Sequence, residues 1–86
     1  MNDEDAGVRA RTSEVLAEFR GADVLDSLIA AAADPAWEVR HSVAFALSRH
    51  GEPAGVPALE ELYKDPDEHV ARYARERLDW MNMIFF

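Results

Sequence analysis

Apolar residues return along this chain at intervals of three and four. Val24, Leu25, Leu28, Ile29 and Ala32 form one stripe, and Val56, Leu59, Leu62 and Tyr63 form another at matching offsets. Val39, Val43 and Leu47 form a third, and the polar positions between them fall on the opposite side of a 3.6-residue turn. The pattern predicts amphipathic helices throughout, and five helices joined by short turns leave no room for a sheet.

A shift of 31 residues superimposes much of the chain on itself without gaps: Asp3, Asp34 and Asp65 coincide, then Val8, Val39 and Val70, then Leu16, Leu47 and Leu78. Asp34-Pro35 and Asp65-Pro66 read as helix starts, with Asp accepting from free amides and Pro in a first turn where its missing N–H is no loss. The helices they open run to about Arg49 and Trp80, and the first copy runs from near Asp5 to Arg20-Gly21. Gly21, Gly51 and Asn82 are the candidates for the left-handed residue that closes a helix. Pro53 opens the second connection, and the helix that follows starts near Gly55 with Pro57 in its first turn. Writing B for the Asp-to-Val-to-Leu helix and A for its partner, the order is B-A-B-A-B. Such pairs cannot bury their stripes alone, so stacking into a solenoid is expected. The chain reads as a single domain over residues 1–86: a partial repeat 1–21, repeats 22–51 and 52–82, and an apolar tail 83–86.

The run from Asp34 to Leu47, Asp-Pro-Ala-Trp-Glu-Val-Arg-His-Ser-Val-Ala-Phe-Ala-Leu, resembles the second-helix signature of HEAT repeats. It is closest to the short bacterial subclass first described in phycobilin lyases. The resemblance implies an all-α, right-handed α-solenoid of antiparallel helix pairs. It also implies that the signature Asp caps the turn and that the Arg after the Val helps form a polar ladder between repeats. Carried onto this chain, those roles fall on Asp34 with Arg40 and on Asp3 with Arg9. Asp65 repeats the capping position, but Ala71 stands where the third ladder Arg is expected, with Arg72 after it. Arg75 and Arg77 replace Ala44 and Ala46 of the middle copy, the composition of a wetter terminal repeat. The resemblance covers nearly the whole chain and specifies shape better than activity.

Composition narrows the functions. Asp and Glu number 17 against 9 Lys and Arg, a formal charge of −8, so nucleic acid and anionic lipid are poor partners. The one local counter-signal is Arg72, Arg75 and Arg77 near Lys64. There are no cysteines, which excludes disulfides, thiolate catalysis and a sulfur-ligated zinc. The acidic start Met1-Asn2-Asp3-Glu4-Asp5 is unlike a secretory signal and no run approaches a membrane span, so a cytoplasmic location is expected.

No catalytic constellation emerges, and no cofactor is expected. His41, His50 and His69 are followed by Ser42, Gly51 and Val70, so the adjacent His-Glu pairs of the iron hydroxylases in the HEAT-like superfamily are absent. Glu38 and His41 stand three apart, yet one pair makes no metal site, and His41 and His69 read as solvated helix-face residues. Asp65, Asp67 and Glu68 lack the glycine and spaced ligands of a calcium loop and read as N-terminal helix charges.

The informative feature is a second stripe, three, six and ten residues past each signature valine: Arg11, Glu14, Glu18; Ser42, Phe45, Arg49; Tyr73, Glu76, Trp80. In HEAT-like folds the B helices line the concave surface, which makes Phe45, Arg49, Tyr73, Glu76 and Trp80 candidate partner-binding residues of the types enriched in interface hot spots. The competing reading has Phe45 and Tyr73 packing between adjacent B helices and Trp37 filling a ridge. The tail, Met83-Ile84-Phe85-Phe86, is apolar enough to need covering, and a fold-back cap, a homodimer contact and the start of further repeats all stay open. The expected function is a non-enzymatic protein-protein interaction or scaffold module with a protein partner. The alternative, carried by resemblance, is an accessory subunit of a lyase or maturation enzyme that cradles a chromophore or substrate protein.

Overall fold

A computed structural model describes residues 4–84, which form five α-helices and, among the described residues, no strand. The helices are α1 (Ala6–Leu16), α2 (Ala22–Ala31), α3 (Trp37–His50), α4 (Val56–Tyr63) and α5 (Glu68–Ile84), with a single 3-10 turn, Pro53–Gly55, ahead of α4. Packing joins α1 to α3 and α3 to α5, while α2 and α4 each lie against the helices they connect. The result is a slab of 36 × 29 × 16 Å in which α1, α3 and α5, the B helices of the sequence reading, form one row.

The helix starts obey a rule two residues away from the one expected. Asp5 Oδ1 accepts from the Gly7 and Val8 amides at 2.7 and 3.3 Å, and Asp67 Oδ1 accepts from those of His69 and Val70 at 2.9 and 3.2 Å. The N-cap column is therefore Asp5, Ala36 and Asp67, and α3 begins without a side-chain cap. Asp34 and Asp65, expected to cap, instead accept from the Ala36 and Asp67 amides, both at 2.9 Å, and turn the chain into the helix. Pro35 and Pro66 consequently precede their helices, whereas Pro57 does lie in the first turn of α4. Asp3, Phe85 and Phe86 lie outside the described residues.

Helix ends also depart from expectation. The backbone tightens after Leu16, with the Glu18 and Phe19 amides reaching back three residues, so α1 stops short of Arg20-Gly21. Gly51 is left-handed at φ 67°, as a helix-closing glycine should be. Gly21 differs: at φ 126° and ψ 155° it opens α2, in a region that only glycine occupies readily. Because a Cβ there meets nothing within 4 Å, Gly21→Ala isolates the backbone cost. Urea unfolding should show a loss of about 1–3 kcal/mol, and an unchanged midpoint would refute the assigned backbone. Asn82, a third candidate for helix closure, is helical inside α5. That helix runs on through Met83 and Ile84, which are 80 % and 56 % exposed, so these two residues do not fold back as a cap.

The middle repeat supplies the centre of the core. Val39, Val43, Ala44, Ala46 and Leu47 of α3 are fully buried, together with Leu28 of α2, Leu59 of α4, and Val70 and Met81 of α5. Helix α1 behaves differently, because no helix precedes it among the described residues. Its buried residues are Ala10 and Ser13, with Ala17 just after, while Val8, Val15 and Phe19 face outward at 39 %, 58 % and 55 % exposure.

Candidate functional site

Two ion-pair links stitch successive repeats. Arg9 Nε and Nη2 meet Asp34 at 2.8 and 3.0 Å, and Arg40 Nε and Nη2 meet Asp65 at 2.7 and 3.1 Å, the two-pronged geometry in which guanidinium and carboxylate interact most strongly. Arg40 Nη1 also donates to the Asp34 and Pro35 carbonyls at 2.8 and 3.0 Å. Each Asp thus serves two tasks: it accepts the amide two residues on, turning the chain into its own helix, and it accepts the Arg of the preceding repeat. The Arg9 hydrogen bond is the main reason the Asp34 carboxyl titrates below its ordinary value, opposed by partial burial. Pairing with Asp65 likewise raises the Arg40 guanidinium. Ala71 at the next ladder position offers no guanidinium.

A second cluster lies along the row of α1, α3 and α5. Phe45, Tyr73 and Trp80 are half-buried and surround one guanidinium: Arg77 Cζ sits 5.5, 6.0 and 4.4 Å from their ring centroids, and Arg77 Nε donates to Ser48 Oγ at 2.6 Å. The three aromatics of the sequence reading are therefore gathered on one face, and the residue that gathers them is Arg77. That overturns Arg77 as a marker of a wet terminal repeat. Arg75 instead turns to Tyr63 at 4.7 Å and Arg72 to Glu68 at 3.9 Å, so the three arginines do not combine into one basic face. Arg49 pairs with Glu18 at 3.1 Å in the open, and Glu76 is exposed.

Toward the first turns of α3 and α5 the face carries a chain of rings. His41 stacks on Tyr73 with centroids 4.1 Å apart and planes at 13°, and meets Trp37 edge-on at 6.4 Å and 87°. Trp37 and His69 approach to 6.1 Å. His41 is half-buried, which corrects its reading as a solvated residue. Burial pushes its pKa below the usual histidine value against an opposing pull from Glu14, and burial raises Tyr73. A recess of about 480 Å³ opens here among Glu14, Trp37, Glu38, His41, Ser42 and His69. A smaller one of about 240 Å³, lined by Glu14, His41, Ser42, Phe45 and Tyr73, shares three of those walls. His50, unremarked beyond its lack of a neighbouring Glu, is buried with Nε2 2.9 Å from the Leu16 carbonyl; the tautomer protonated at Nε2 completes a bond to the end of α1. No group of three His, Asp or Glu among the described residues is placed to hold a metal ion.

The signals for Trp37, His41, His69 and Arg77 were present but split across columns. They stand two before, two after, one before and seven after their respective valines, so only the approach of α3 to α5 brings them together.

A family model for HEAT repeats matches residues 1–78, and the chain belongs to that family. Neither the curated proteins nor the solved structures include a significant match to it. HEAT repeats generally mediate protein-protein contacts, and the family is typically non-enzymatic.

Proposed function

We propose that this chain is a non-enzymatic interaction module that receives a segment of a protein partner on the face formed by α1, α3 and α5. The observation that carries the reading is the convergence of Phe45, Tyr73 and Trp80 around Arg77 on a face that remains partly open. A core contact alone would bury these rings, whereas each keeps intermediate exposure. Large rings held by a neighbouring cation lose little side-chain entropy when a partner lands on them, which favours affinity. Acidic residues at the margin, Glu18 and Glu76 among them, steer a neutral or basic segment toward the face. The acidic charge and the lack of cysteine fit a cytoplasmic setting, and no helix among the described residues is long and apolar enough to cross a membrane.

Phe45→Ala and Trp80→Ala test the proposal. Both side chains lie at the rim of the core, so circular dichroism should show the helices retained. Crosslinking followed by mass spectrometry in the native host should show the partner lost from each variant, by about tenfold or more for a hot-spot ring. Unchanged capture by both variants would dismiss this face.

A further inference from the structure

The recess at the first turns of α3 and α5 has a chemical character distinct from the Arg77 cluster. Its walls are flat rings, Trp37 and His41 at 87° to one another, with Tyr73 stacked behind His41. Its polar groups are two carboxylates, two imidazoles and a hydroxyl, and among the described residues neither carboxylate pairs with an Arg or Lys: Glu14 accepts a 3.3 Å bond from Ser42 Oγ beside His41, and Glu38 makes no ion pair. The two acids come from different helices, α1 and α3, and line one cavity with the rings. The positive ends of α3 and α5 disfavour a cation nearby, and Glu38, in the first turn of α3, offsets that field.

We infer that this recess is a binding site for an arginine side chain on a partner polypeptide, its guanidinium lying against Trp37 and His41 and its N–H edge meeting Glu14 and Glu38. Resting on the interaction reading above, the inference specifies the chemistry of the bound segment. Charge complementarity selects a cation: the chain carries a net −8, and among the described residues neither carboxylate in the recess is paired with an Arg or Lys. Shape selects arginine over lysine, because a planar, weakly hydrated guanidinium can stack on a ring and present two donors at its edge, whereas an ammonium is a compact and strongly hydrated point charge. The molecule already uses the same pairing for itself, with Arg77 over Trp80 at 4.4 Å and Arg75 over Tyr63 at 4.7 Å.

The test uses the full chain, labelled with nitrogen-15, and a blocked pentapeptide of glycines around one central arginine. Titration should give saturable amide shifts at Glu14, Glu38 and His41 and a shift of the Trp37 indole N–H. The same peptide with citrulline, which keeps the shape and loses the charge, should bind about tenfold or more weakly. Glu14→Gln and Glu38→Gln should each weaken the arginine peptide several-fold while leaving the spectrum folded, since both side chains are exposed. Equal binding of citrulline, equal binding of a lysine peptide, or shifts scattered over the acidic surface would each overturn the assignment. If Phe45→Ala and Trp80→Ala abolish partner capture while the arginine peptide leaves the recess unshifted, this inference fails and the interaction reading stands. Arginine shifts together with unchanged partner capture would fail the Phe45 and Trp80 face alone.

Discussion

Leu47→Ala should remove a large part of the stability of this domain, and Leu16→Ala, in the same sequence column, should remove far less. Leu47 is fully buried in α3, which is packed by α1, α2, α4 and α5, and its Cδ2 lies where a Cβ added at Gly55 would meet it at 3.2 Å. Truncating such a side chain forfeits its transfer free energy and leaves a cavity that surrounding helices fill only in part, about 2–5 kcal/mol in all. An 86-residue domain has roughly 4–13 kcal/mol to lose. Leu16 is only half-buried, at the end of a helix with a single B-type neighbour, and its truncation opens toward solvent. Chemical denaturation of both variants checks the contrast. Equal losses would mean that α1 is covered as completely as α3.

Arg40→Ala should be the most damaging polar substitution. It strips Asp65, whose side chain is 5 % exposed, of both guanidinium bonds and leaves the Asp34 and Pro35 carbonyls without their donor. A pair this enclosed lies between the surface and buried limits, so a loss of roughly 2–4 kcal/mol is expected. Arg40→Lys should recover only part of it, since an ammonium cannot reproduce the fork. In a double-mutant cycle, Arg40→Ala and Asp65→Ala together should cost clearly less than their sum, and strict additivity would show that the bonds contribute nothing jointly. The companion link has a pH signature. Because the folded Asp34 carboxyl titrates below its ordinary value of 3.8, its contribution is present above that value and lost as pH falls through the lower, folded one. Removing Arg9 should therefore flatten acid unfolding below about pH 4.

Much of the architecture was legible because a constant stride of 31 residues leaves few ways to stack helices. The column Val39, Val43, Leu47 is buried as the periodicity required, and Val70 and Ala74 follow it. Its first copy misled: Val8 shares the sequence pattern but is partly exposed, because burial depends on a neighbour that periodicity does not supply. The caps were misplaced for a related reason. Aspartate before proline looks like a cap in one dimension, yet its carboxylate serves the turn and the preceding repeat's Arg, which leaves the cap to Asp5 and Asp67. Of the ring cluster around Arg77, on the face proposed for binding, Phe45, Tyr73 and Trp80 were singled out by helical offsets alone. The recess was hidden, since its walls come from α1, α3 and α5 and are spread over several offsets from the signature valines.

The two Arg-Asp links also give the molecule a direction in time. Arg9 and Arg40 each find their carboxylate 25 residues later in the chain. A ribosome therefore delivers every guanidinium well before the group that will hold it, and each repeat is locked only once its successor has begun to emerge. Ala71 supplies no guanidinium at the third ladder position, so the third repeat is held through Asp65 by the one before it.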